Sequence, residues 1–563
     1  MSTPLTTPTV APGLRAGSEP TVPSLLYLPS RPDAATRPAT LADLHLDTVI
    51  DAMAPGAFQR TVWTTPPHDP AEVAQRQDVV RDLQRPATRA AAESFAAAVS
   101  EAVVALDARA HDYYRLPAQV RLLSALHRFA EEVRAFTAEL AREAPDSHRL
   151  RAVAEALTAQ VAGTRFAELA DGSAALLAEL CQPSDELGIV AETVWADTDQ
   201  GDPPWTPQVA ALLGRLADPD LERRDGSFRP TSAEQPERRD GSFRSTARVP
   251  ARAVRGSALT SSPVVRPRRE LNHIEAQALG LLAQLRPAGF ERLRAFLASP
   301  VATVDAPLRR LAEELRFFLG CLTMVDDLTG RGVAWCLPRV TEVPGAVDVH
   351  GVIDLALALA EPTLTPAPND VRLSADQRVV FVTGPNQGGK TTLVRAIGQL
   401  AHLAALGLPV PATSATLPLH HPLLTHFPQP DDPAHGHGGL AEELARLRAV
   451  LDAASAPALV IFNELLATTS ADDALQVSQL VLRRFAELGC RVVWVTFLDD
   501  LVTSVPEAVS LVGQVDPDDP TVPTFRFRAQ PPAGHSHAVV LARRFGLSAD
   551  DLAARLATEG DPR

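Results

Sequence analysis

Lysine is almost missing from this chain. Of 53 basic residues among 563, 52 are Arg and one, Lys390, is Lys. Asn occurs only at Asn272, Asn369, Asn386 and Asn463, against 49 Pro. In a text that has drifted toward Ala, Arg and Pro, each survivor of a depleted type is informative. The four Cys (Cys181, Cys321, Cys336, Cys490) are far apart and form no CxxC. That spacing argues against a disulfide framework or a thiolate zinc site and fits a reducing compartment. No run approaches the roughly 18 apolar residues of a membrane-spanning helix. The N-terminus has no basic stretch leading into an apolar one, so no secretory signal is read. A cytoplasmic protein without a membrane partner is expected. Apolar residues make up 45% of the chain, enough for real cores and too many for wholesale disorder. A net charge of -15 argues against coating nucleic acid over the whole surface, but not against a local basic patch.

A chain of 563 residues implies roughly two to four domains. Residues 1–37 are rich in Pro, Thr and Ser without a period and are expected to form a flexible tail. From 38 to 191 the pattern is helical, as in the stripe of Leu122, Leu123, Leu126, Phe129, Val133 and Phe136 at three and four spacing. Between 192 and 270 the pattern collapses. There ERRDGSFRPTS at 222–232 returns as ERRDGSFRSTA at 237–247, a 15-residue step too short for a usual folded repeat. Residues 222–270 hold 12 Arg against 6 acids. A solvated linker is expected, with a loose phosphate-backbone tether as the functional alternative. Helical text resumes over 271–340, and from 341 to 563 β-rich runs alternate with helices. The fold class is therefore α + α/β: a long-helix bundle followed by a domain with a largely parallel sheet.

The chemistry concentrates in one loop. The buried-strand pattern Arg378–Thr383 runs into Gly384-Pro385-Asn386-Gln387-Gly388-Gly389-Lys390-Thr391 and then a helical stretch that opens at Thr392. Strand, G-x-x-x-x-G-K-T, helix is the full context of a phosphate-binding P-loop. Glycines let successive N–H groups turn toward phosphate oxygens, and the helix N-terminus faces the same anion. Lys390 is placed for the β- and γ-phosphates, and the Thr391 hydroxyl for Mg2+. Arg cannot simply replace this lysine, since its fork is bulkier and prefers bidentate partners. A second strand, Ala458–Phe462, ends in Asn463-Glu464. A Walker B strand normally ends in two acids, one for the metal's water shell and one for the attacking water. Asn463 can hydrogen-bond a metal-bound water but adds no charge, while Glu464 remains available as general base.

These residues carry a resemblance. TGPNQGGKTT closely resembles the P-loop of the MutS mismatch-repair family, usually TGPNxxGKST. LAALGLPVPATSATLPL (403–419), GHGGLAEELARL (436–447), FNELLATTSADDA (462–474) and PPAGHSHAVVLARRFGL (531–547) are similar to further segments of that family. Glu443 matches the acid of its signature loop. PNDVRL (368–373) and, upstream, DPAEVAQRQDVVRDL (69–83) also have the family look. The resemblance implies ATP and Mg2+ as cofactors, a homodimer whose signature loops complete the partner's nucleotide sites, with Glu443 among the binding residues, and DNA as the partner reached through long lever helices. It implies DNA repair by mismatch correction or recombination, in a short member without the mismatch-reading domain.

The departures bear on catalysis. Asn463 stands for an Asp, and Leu466, Ala467 and Thr468 replace a G-R-G run. Gly438-Gly439 replace Ser-Thr, and Phe497 stands where the family has a His. Each loss weakens hydrolysis or its coupling more than binding. The sequence thus leaves open a slow ATPase or a hydrolysis-deficient nucleotide-binding scaffold acting through protein partners. Two smaller signals are read structurally. The F-x-E triplets at Phe129, Phe166 and Phe485 fall inside helical patterns and are expected to pack, not to unstack bases. His420, His421, His426, His435 and His437 cluster within 18 residues, and a polar loop near the nucleotide is expected there, not a metal site.

Overall fold

The computed structural model describes residues 22–26, 36–53, 56–108, 115–180, 279–280, 282–429, 439–466, 469–519 and 521–531. The expected linker 192–270 with its duplication, the stretch from 532 onward, His435, His437, Gly438, Ala467 and Thr468 lie outside the described residues. The chain opens with helices α1 (Pro38–Asp43), α2 (Leu46–Met53), α3 (Ala57–Thr64), α4 (Pro70–Leu83) and α5 (Pro86–Ala108). Then come α6 (Arg115–Glu143), α7 (His148–Val161), α8 (Thr164–Leu180), α9 (Pro287–Ala298) and α10 (Ala306–Thr329). Strands follow: β1 (Arg339–Thr341), β2 (Val347–Val352), α11 (Leu355–Ala360), β3 (Asn369–Leu373), β4 (Val379–Thr383), α12 (Lys390–Leu406), β5 (Ser414–Pro418) and β6 (Leu423–His426). The last elements are α13 (Gly439–Ala453), β7 (Leu459–Asn463), α14 (Ala471–Glu487), β8 (Arg491–Val495), α15 (Asp499–Thr503), β9 (Val509–Val515) and β10 (Pro523–Ala529). Helices followed by mixed sheets with parallel strands agree with the α + α/β class.

Two compact units share the chain. One comprises described residues within Ser94–Ala138 and Ala156–Arg309; the other comprises those within Val22–Glu93, Glu139–Glu155 and Arg310–Arg563. The boundaries fall inside α5, α6, α7 and α10, so the units interleave along the sequence. The consecutive blocks expected from composition do not coincide with them.

The first unit is helical. The α6 stripe from Leu122 to Phe136 is buried, and Phe136 stacks on Phe95 of α5 with ring centroids 5.0 Å apart. Full burial of each such side chain contributes about 1.5–3 kcal/mol. Phe129 and Phe166 are also buried, as their helical setting predicts. Gly172 of α8 lets α9 come close, since a Cβ there would stand 2.8 Å from the Phe296 ring.

The second unit holds two sheets. The larger has strand order β10-β9-β4-β8-β7-β6; all neighbours are parallel except the β9–β10 pair. Its central strands are apolar runs buried on both faces, the pattern of a parallel sheet covered by helices. Phe462 of β7 packs on Trp494 of β8 at 4.5 Å and on Phe485 of α14 at 5.6 Å. The smaller sheet has order β1-β5-β2-β3. Gly407, at φ 78°, ends α12 with the Gly407 and Leu408 N–H groups donating to Ala404 and Leu403 carbonyls.

The expected tail needs correction over residues 22–26. Val22, Leu25 and Leu26 are buried in the second unit. The fully buried Glu314 of α10 accepts from Leu25 N and Ser24 Oγ, each at 2.7 Å. Arg76 of α4 donates to the Leu26 carbonyl at 2.9 Å, and Arg149 of α7 donates to that of Leu25. A buried charge must be paired, and residues 24–26 supply partners here through backbone groups and the Ser24 hydroxyl, beside Glu72 for Arg76 and Arg310 for Glu314.

Candidate functional site

Strand β4 lies between β8 and β9 in the larger sheet and leads into the glycine loop. Gly384 adopts φ 133°, and a Cβ there would stand 3.0 Å from Gly513 on β9. Gly389, at φ 87°, is the residue before α12. Gln387 shares the left-handed region at φ 60° without being glycine. Such backbone is selected where its N–H groups must converge.

Lys390, the first residue of α12, is 5% exposed. Its Nζ donates to the Gly384 and Pro385 carbonyls, each at 3.1 Å, and to Asn386 Oδ1 at 3.3 Å. The Phe497 ring centroid lies 4.5 Å from the same Nζ. Burial pulls the lysine pKa below its usual value, and the nearby Glu464 carboxylate pushes it back up. Thr391 Oγ1 donates to Asn463 Oδ1 at 3.2 Å, which joins the end of β7 to the loop.

A cavity of about 720 Å³ opens beside these groups. Asn386, Gln387, Gly389, Lys390, Thr391, Thr392, Glu464 and Phe497 line it, together with Leu364, Pro366, Ala367, Asn369 and Phe525. Gly384, Pro385, Gly388 and Asn463 are not among the lining residues. Glu443 is not among them either: its Oε1 accepts from the Leu466 backbone N–H at 2.7 Å and lies 3.7 Å from His426 Nε2. The histidine expectation also changes. His426 is buried on strand β6, and His420 is held between the Pro457 carbonyl and Arg491. Burial first, then the neighbouring arginines, keep both imidazoles neutral, with pKa values of about 4. Among the described residues, no group of three or more His, Cys, Asp and Glu is placed to hold a metal ion.

The sequence reading assigned no site role to several lining residues, Phe525 and Asn369 among them. Phe525, on β10, is half exposed, has φ 57° and reaches Gly389. Asn369 of β3 fixes it: Nδ2 donates to the Ala367 and Phe525 carbonyls, each at 3.1 Å, and Oδ1 accepts from Phe527 N at 2.8 Å. The rarity of Asn and the family look of PNDVRL (368–373) were the signals that pointed to Asn369.

Residues 380–518 match the family model described as MutS domain V. The match starts in β4 and covers the loop, Lys390, Asn463, Glu464 and Phe497. A DNA mismatch repair protein MutS of Synechococcus sp. (strain CC9605) is 32% identical over 229 residues, 39% of this chain and 25% of that protein. Over that stretch the chain is similar to MutS proteins. The MutS of Granulibacter bethesdensis is 34% identical over 172 residues, 30% of this chain and 18% of its own. DNA mismatch repair protein HexA of Streptococcus pneumoniae serotype 4 is 30% identical over 210 residues, 36% and 24% respectively. The chain thus spans a quarter or less of the length of these relatives. Among the described residues, no helix is long and apolar enough to cross a membrane.

Proposed function

We propose that this chain binds ATP with Mg2+ in the cavity beside Lys390, hydrolyses it slowly, and uses nucleotide binding to control its hold on DNA as a homodimer. The observation that carries the reading is Lys390 seated in a glycine loop between β4 and α12, with Thr391 bonded to Asn463 behind it. The loop fits phosphate because a side chain would block it. A Cβ at Gly388 would stand 2.8 Å from the Pro385 carbonyl oxygen, so glycine keeps the loop tightly curled. Lys390 exchanges its carbonyl partners for phosphate oxygens, and the start of α12 turns its free N–H groups toward the same charge. The apolar rim around Leu364, Pro366 and Phe525 suits a nucleobase, with Phe525 offering a ring face.

Thr391 and Asn463 would hold Mg2+, Asn463 by way of a water, and the ion would neutralise phosphate charge. Glu464 takes a proton from the water that attacks the γ-phosphorus as the bond to the ADP oxygen breaks. Asn463 brings no charge to the metal side, and Phe497 offers a ring in place of a hydrogen-bonding group, so turnover is slow. The DNA role is supported by the relatives' printed name, DNA mismatch repair protein, and the paired sites by the family resemblance of the sequence. ATP turnover with and without DNA, and DNA binding across a salt series with and without ATP, test the reading. Salt-dependent binding that ATP alters is expected. Retained nucleotide binding with no DNA affinity at low salt would remove DNA from the account.

A further inference from the structure

Two residues just past β7 adopt backbone that side-chain-bearing residues avoid: Glu464 at φ 56° and Leu466 at φ 57°. Such a turn persists only where its surroundings over-determine it. Three ties are visible. Glu464 N donates to the Val495 carbonyl of β8 at 3.0 Å. The Leu466 side chain is buried in the core beneath α14. The Leu466 N–H donates to Glu443 Oε1 at 2.7 Å, across 23 residues of chain. The first two ties come from the sheet and core that the turn leaves. The third comes from α13, a separate element.

We propose that Glu443 is a positioning residue, whose carboxylate clamps the Glu464–Leu466 turn and so couples the start of α13 to the proposed general base. This rests on the reading of Glu464 as the base. The bond is charge-assisted and short, and the Glu443 side chain is only 12% exposed, so water competes weakly for it. His426 lies 3.7 Å away, yet burial and Arg446 keep it neutral, so it does not draw the carboxylate off as a cationic partner. A small displacement of α13 therefore reaches Glu464 through one hydrogen bond, and misplacing a reacting group by about 1 Å costs roughly 100-fold in rate.

The test compares wild type, Glu443→Ala, Glu443→Gln and Glu464→Ala in the full chain. ATP turnover, ATP affinity by titration, thermal stability and hydrogen exchange of the 463–469 segment are measured. Glu443→Ala is expected to lower turnover by about 10- to 100-fold while ATP affinity holds, and to speed exchange at Leu466. Glu443→Gln keeps an acceptor oxygen and is expected to restore most of both. Wild-type turnover in Glu443→Ala, or a parallel loss of affinity, stability and turnover that Gln does not rescue, would overturn the proposal. Should wild type and Glu464→Ala turn over ATP equally, the hydrolytic reading fails separately. Exchange then decides the clamp: faster exchange at Leu466 in Glu443→Ala upholds it, and unchanged exchange removes it.

Discussion

The loop from Gly384 to Thr391 and the turn from Asn463 to Leu466 meet at one cavity, and they differ in kind. The first brings together three glycines, a buried lysine and a threonine hydroxyl, the full set that the proposed phosphate site calls for. The second is reduced. Its metal-side group is a neutral amide, its glycines are replaced, and Phe497 covers Lys390. In the proposed function, binding and hydrolysis depend on different halves, so one can weaken while the other stays intact. The backbone shows the same contrast. Glycine makes the loop's left-handed geometry cheap at Gly384 and Gly389, whereas the second turn holds Glu464 and Leu466 there by outside ties.

The largest effect separates the halves outright. Glu464→Ala should lower ATP turnover by about 100- to 10,000-fold relative to wild type, with ATP affinity retained, as read by phosphate release and titration. Next comes a pH dependence with one buried imidazole on each side. His402 of α12 donates to the Trp63 carbonyl, and burial holds its pKa at about 4; burial and Arg446 hold His426 at about 4. The unfolded values lie near 6.5, so the unfolded chain binds more protons between the two. Each imidazole's contribution is present above about 6.5 and is lost as pH falls toward about 4, up to about 3 kcal/mol apiece. Burial raises the carboxyls of Asp43, Asp354 and Glu314, which works in the opposite direction. Variants therefore isolate the histidines: His402→Gln and His426→Gln should each lose less Tm than wild type between pH 6.5 and 4.

Lys390→Ala should weaken ATP binding by about 10- to 100-fold, the worth of a hydrogen-bonded charge, while thermal stability changes little by comparison. The smallest effect links the halves. A double-mutant cycle between Lys390→Ala and Phe497→Leu should show a coupling of about 0.5–1 kcal/mol in denaturant unfolding, from the cation over the ring.

The complete half was legible because it is local. Strand, glycine loop and helix follow within a few residues, and the scarcity of lysine singled out Lys390. The stripe on α6 was legible for the same reason, since helical spacing predicts which side chains are buried. The other half is assembled over distance. Asn369 and Phe525 are 156 positions apart and meet only where β3 of the smaller sheet reaches β10 of the larger, so no local pattern pairs them. Glu443 was recognisable as an acid in a familiar segment, but its hydrogen-bond partner depends on where α13 lies against the turn. His426 looked polar, yet the parallel sheet buries β6 on both faces. Residues 22–26 were hidden by a Pro- and Thr-rich context, because what holds them is Glu314, nearly 290 positions away.

The central claim is that the missing charge at Asn463 limits hydrolysis and leaves binding intact. Asn463→Asp tests it most directly, by ATP turnover and ATP affinity measured side by side with wild type in Mg2+. The account predicts turnover raised by about tenfold, roughly 1.4 kcal/mol of barrier, at nearly unchanged affinity. Unchanged turnover, or a gain confined to affinity, would contradict it.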